Sequence, residues 1–169
     1  MGAKYPDRKY LACFPACTNT FGTPPHRAAC YEEALAHEGV VGLIIGTRPD
    51  CMPPDLLDYL SDLARDRYLM VEYGIESTCD ETLARINRGH DYAAAVDAVP
   101  RPAAAGIPVA AHMILRLPAW SRHPISSHAS RPSDFPLHTA KLHPLQLTLS
   151  RPLSVHSVHC ASSVLPPPP

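Results

Sequence analysis

No apolar run in this chain reaches the roughly 18 residues that a membrane-crossing helix needs. The opening stretch MGAKYPDRKY lacks the apolar core of a secretion signal. Position 6 is Pro6 rather than Ser or Thr, so Met1-Gly2 does not begin a myristoylation signal. An excess of one charge is missing too. The 15 Lys and Arg residues nearly cancel the 16 Asp and Glu residues, leaving −1, so no broad attraction to nucleic acid or membrane is implied. These absences lead to the expectation of a cytoplasmic protein with reduced thiols. Metal-ligand spacing is scarce among the six cysteines. Cys30, Cys51, Cys79 and Cys160 stand alone, and Cys13-Phe-Pro-Ala-Cys17 is the one close pair.

Glycine is absent after Gly106, and the composition breaks near residue 116. Residues 1–115 hold 15 acids and 10 Lys or Arg; residues 116–169 hold one acid, Asp134, and five Lys or Arg. The latter stretch also carries 10 Pro, 10 Ser and 6 His. Proline removes ladder donors and breaks helices, so this composition does not predict a regular core. The division expected is a partial core over 1–118 and a Pro/Ser/His-rich tail over 119–169, either disordered or read out of frame after a single-nucleotide slip. The six tail histidines are irregularly spaced, which favours composition over a metal tract.

Before the break, apolar runs alternate with helical patterns. Lys9–Phe14, Val40–Ile45, Tyr68–Tyr73 and Ile107–Leu115 suit buried strands. Arg27–His37 reads as a helix that Gly39 ends. A second helix starts at Pro53-Pro54-Asp55, with Leu56, Leu57, Leu60 and Leu63 on its apolar face. Thr78–Asn87 reads as a third, with Thr78 and Glu81 in capping-box spacing and Asn87-Arg88-Gly89 at its close. Tyr92–Ala105 is helical but interrupted by Pro100 and Pro102. The β-α-β-α-β-α-β order predicts an α/β fold with a parallel sheet. In such folds ligands sit at the C-terminal ends of strands, which is where Glu76 falls.

The blocks TNTFGTP, HEGVVGLIIGTRPDCMP, VEYGIESTCDETLARINRGHD and AGIPVAAHMILRLP together resemble radical S-adenosylmethionine (radical SAM) enzymes. The nearest likeness is to the bacterial iron–sulfur oxidoreductase group related to elongator-type and coproporphyrinogen-oxidase-type proteins. The resemblance covers residues 5–118, and Glu76 stands where glutamine is usual. It implies a partial (β/α) barrel of the TIM-like type. It also implies a 4Fe–4S cluster held by Cys-x3-Cys-x2-Cys and S-adenosylmethionine as the source of a 5′-deoxyadenosyl radical. Thr20 occupies the third cysteine position after Cys13 and Cys17, so the cluster loop is expected to be missing and the chain inactive alone.

The cofactor-binding candidates are Gly46, Thr47, Glu76, Arg88 and His112. In the family, the residues matching Glu76 and Arg88 contact the ribose and carboxylate ends of the cofactor. A guanidinium suits a carboxylate, and a carboxylate suits ribose hydroxyls. Each candidate has a plainer reading. Arg88 can be a helix-end cation, Gly46-Thr47 a strand-end turn, and His112 a hydrogen-bonded core residue. Glu72 is a site residue if it points into the barrel and edge solvation otherwise. The elongator-type likeness points to RNA as a substrate class by fold analogy alone. The competing function is a non-enzymatic half-barrel that binds a protein partner through the acidic face of residues 50–81. Open sheet edges predict self-association.

Overall fold

A computed structural model of the chain describes residues 8–15, 18–115, 117 and 131–145. Cys17, Cys160 and the closing Pro166–Pro169 lie outside the described residues. Five strands form one sheet in the order β1-β2-β3-β4-β5, every neighbour parallel, curled as a half-barrel. The strands are β1 (Tyr10–Phe14), β2 (Val40–Thr47), β3 (Tyr68–Glu76), β4 (Val109–Leu115) and β5 (Thr139–Pro144). Helices α1 (Pro24–Leu35), α2 (Pro54–Leu63), α3 (Asp80–Arg85), α4 (Tyr92–Ala98) and α5 (Pro100–Ala104) link them.

The core lies between the sheet and these helices. Leu43 and Ile45 of β2, Leu69, Val71, Tyr73 and Ile75 of β3, and Val109, Ala111 and Met113 of β4 are its sheet side. They alternate along each strand, as side chains must on a pleated backbone. Tyr31, Leu56, Leu60, Ala95 and Ala98 close it from the helices. The alternate strand residues therefore share the opposite, concave face: Ile44 and Gly46, Met70, Glu72 and Gly74, Ala110, His112 and Ile114. Register places Lys141 beside His112 and His143 beside Ile114, which puts both on that face.

Two expectations change. Four strands are expected and five are found, with β5 continuing the sheet beyond the boundary at residue 118. A bulk tally of Pro and Ser does not register a six-residue strand, and β5, which ends in Pro144, is an edge strand of the described sheet, where a missing N–H is tolerated. Helix α3 starts later than the capping-box reading. Cys79 is its N-cap with no side-chain cap bond, and the Ser77 hydroxyl accepts from the Cys79 N–H at 3.1 Å. The strand before it runs on to Glu76, using residues that the sequence pattern assigns to the turn.

The interruption at Pro100 is as expected. Val99 keeps helical angles, yet the segment divides into α4 and α5, because proline has no N–H to donate. Asp91 caps α4 by accepting from the Ala94 N–H at 2.9 Å.

Candidate functional site

The end of α3 determines where Arg88 goes. The Arg88 N–H bonds the Leu83 carbonyl at 2.9 Å and the Asn87 N–H bonds that of Ala84 at 3.0 Å. Asn87 has φ 53, so the three features form a Schellman close with asparagine in the left-handed position. The chain turns back, and the Arg88 guanidinium lies over the end of β3. Its Nη2 donates to the Gly74 carbonyl at 2.7 Å and sits 3.5 Å from Glu76 Oε1. A Cβ built on Gly74 would stand 2.4 Å from Arg88 Nη2 and 2.7 Å from Glu76 Oε1. Glycine at 74 is what lets the arginine cross the strand.

Glu76 itself has φ 67, in the left-handed region that non-glycine residues seldom occupy. The β3–β4 register shifts between Gly74 and Glu76, so a bulge re-aims this carboxylate at the strand end. Burial raises the Glu76 carboxyl above its ordinary range, against the opposing pull of Arg88 and His143. Burial likewise lowers Arg88, against the pull of Glu76. Desolvation therefore outweighs the mutual attraction on both sides of the pair. The pair is held in place by Gly74 and the close of α3, with one buried polar atom, Arg88 Nε, left without a hydrogen-bond partner among the described residues.

A rim surrounds it. Arg48 grips Asp50 with two hydrogen bonds of 2.9 and 2.6 Å and reaches the Gly89 carbonyl at 3.1 Å. This joins the loop after β2 to the close of α3. Burial opposes the Asp50 carboxylate, but its bonds to Arg48 win and hold it below the usual range. Asn19 Nδ2 donates to the carbonyls of Phe14 at 2.6 Å and Gly46 at 2.8 Å, tying the ends of β1 and β2. The Tyr31 hydroxyl donates to the Asn19 carbonyl at 2.9 Å and anchors that loop to α1.

A second polar group lies on the concave face. Glu72 is 4% exposed. One of its oxygens meets Lys141 Nζ, and the other is 3.2 Å from His112 Nε2. The His143 ring lies 5.4 Å from the His112 ring. Glu72 thus points to the barrel side and does not solvate an edge.

The five candidates are not all brought together. Glu76, Arg88 and the backbone of Gly46 stand at adjacent strand ends, and His112 pairs in register with Gly74. Thr47 is buried on the helix side, where its hydroxyl meets that of Thr20, which also bonds the Cys51 carbonyl. Cys13 is exposed and free, on the concave side of β1. Among the described residues, no group of three His, Cys, Asp or Glu is placed to hold a metal ion. Nothing in the sequence marks Asn19 beyond its place in a polar loop after an apolar run. Lys141 is hidden by the composition around it.

No family model matches the chain. It is 37% identical over 153 residues to the Bacillus subtilis protein YtqA, covering 90% of this chain and 48% of that protein. It is 35% identical over 141 residues to Escherichia coli YhcC, covering 83% of this chain and 46% of that protein. The chain spans about half the length of the curated relatives it matches. A match to 90% of the chain extends well beyond the stretch 5–118 that carries the motifs. The structure of archaeal Methanocaldococcus infernus Elp3 with an N-terminal deletion superimposes with a TM-score of 0.73 at 16% identity, covering 95% of this chain and 42% of that one. The chain therefore shares its half-barrel fold with Elp3 and is similar in sequence to YtqA and YhcC.

Proposed function

We propose that the chain is part of a radical SAM protein and carries residues that contact S-adenosylmethionine at the end of β3. The observation that carries this reading is the Glu76–Arg88 pair: strained in its backbone, desolvated, and with Arg88 Nε unpartnered. The likeness of fold to Elp3 and the four sequence blocks support it. The donor set fits the cofactor's ends. Arg88 offers N–H groups to a carboxylate, and Glu76 offers acceptors to ribose hydroxyls. Gly46 is proposed to contribute through its backbone, and its lack of a Cβ admits the end of β1, since an added Cβ would stand 2.9 Å from the Phe14 carbonyl.

The chemistry such a cofactor supplies, when bound with a 4Fe–4S cluster, is hydrogen-atom abstraction by a 5′-deoxyadenosyl radical. The described residues do not fit the cluster, since they bring no three ligands together. The chain's own part is to bind, orient and shield the adenosyl end. It is expected to be inactive alone.

The reading is tested by titrating S-adenosylmethionine into the purified chain and following ligand resonances by saturation-transfer NMR. Binding with a Kd on the order of 1 mM, about 4 kcal/mol, is expected for a site without the cluster. No saturable binding up to about 5 mM would overturn it.

A further inference from the structure

Glu72, His112 and Lys141 take no part in the contacts assigned above. Glu72 is sealed at 4% exposure, whereas the His112 and Lys141 side chains are open to 32% and 42%. The carboxylate is inside, and the two groups it holds face the concavity. Lys141 occupies Oε1, which leaves Oε2 for the imidazole. An ionised carboxylate only accepts, so Nε2 carries the proton and donates. In the neutral ring Nδ1 then keeps its lone pair. A carboxylate behind an N–H orients an imidazole, fixes its tautomer and steadies the imidazolium that forms when the far nitrogen takes a proton.

We propose that His112 is a proton acceptor on the concave face for a substrate bearing an ionisable O–H or N–H, with Glu72 as its positioning residue. The substrate proton passes to Nδ1, the substrate keeps the electron pair as an anion, and the new imidazolium charge faces the Glu72 carboxylate. Among the described residues, the charged and titratable groups acting on His112 are Glu72 from β3 and Lys141 and His143 from β5. Burial lowers His112 from its ordinary value more than Glu72 raises it, so the ring is neutral and ready to accept at neutral pH. A purely structural buried ion pair would need only Glu72 and Lys141. The histidine is a third member, and it is partly open. The inference rests on taking the concave face as the substrate side of the proposed enzyme.

Diethyl pyrocarbonate acylates unprotonated imidazole nitrogen and serves as the probe. At pH 6, where an ordinary imidazole is about one quarter unprotonated, His112 is expected to be carbethoxylated about threefold faster than the exposed His26 and His37 of the same molecule, by peptide mass spectrometry. At pH 8, where the ring is unprotonated in both chains and the rate reads its nucleophilicity, Glu72→Gln removes the acceptor behind Nε2–H and should slow His112 about threefold while leaving His37 unchanged. Reaction of His112 no faster than His37 would overturn the proposal, and so would an unchanged rate in a Glu72→Gln chain with the native circular dichroism spectrum. The comparison within the wild-type chain stands even if the variant fails to fold. Neither S-adenosylmethionine nor a cluster enters the experiment, so its failure leaves the Glu76–Arg88 reading untouched.

Discussion

The Arg88 guanidinium rests on the Gly74 carbonyl at 2.7 Å, in space that any Cβ at residue 74 would take. The atoms in the way are the ends of two flexible side chains, so Gly74→Ala is tolerated by moving them. It should cost under about 1 kcal/mol of stability and displace Arg88. Gly42 is the contrasting case. A Cβ there would lie 2.1 Å from the Tyr68 backbone carbonyl, which cannot step aside. Gly42→Ala should cost about 3 kcal/mol. Urea denaturation of the two variants checks the difference, and equal costs would contradict the geometry.

Glu76 is destabilising by two routes, its left-handed backbone and its buried charge. Because Glu76→Gly and Glu76→Ala both remove the carboxylate from Arg88 and the proposed ribose contact, the backbone part is read by comparing them: Glu76→Gly should be about 1 kcal/mol more stable than Glu76→Ala. The pH dependence has a definite sign. A carboxyl raised in the folded state lends stability that is present below its ordinary value of 4.5 and lost as pH rises through the folded value. The stability of Glu76→Gln relative to wild type should grow more favourable across that window. Thermal melts at pH 4 and pH 8 measure it, and an opposite trend would show that Arg88 dominates.

His112 carries the opposite dependence. Burial is the leading cause of its lowered value, ahead of the raising effect of Glu72. Its contribution is complete above the ordinary imidazole value of 6.5 and is lost as pH falls below that toward the folded value. His112→Gln should flatten this part of the stability profile between pH 7 and about pH 5. An unchanged slope in the variant would mean that His112 is solvated like an exposed histidine.

Much of the fold is legible in the sequence because the apolar runs of β2, β3 and β4 are long and the breaks between them are marked. Gly39, Pro53-Pro54 and Asn87-Arg88-Gly89 each stand at or beside an element boundary. The site is legible only in part. Strand-end position singles out Glu76, and alternation separates Glu72 from Tyr73. Alternation through Leu43 and Ile45 also carries Thr47 under the helices, but nothing local reveals that Gly74 is the gap that Arg88 fills. The aim of Glu76 depends on the register shift after Gly74, which alternation does not anticipate. Lys141 reaches Glu72 across 69 positions, from a strand beyond the break in composition near residue 116. No local pattern encodes a partner so distant.

The most direct test of the central claim is calorimetric titration of S-adenosylmethionine into the wild-type chain, Arg88→Ala and the control Arg85→Ala. Arg85 is exposed on the last turn of α3, three residues before Arg88. If Arg88 holds the cofactor's carboxylate, its loss should weaken binding about tenfold or more, equivalent to about 1.4 kcal/mol, while Arg85→Ala binds as wild type does. Equal affinity in all three chains would contradict the account.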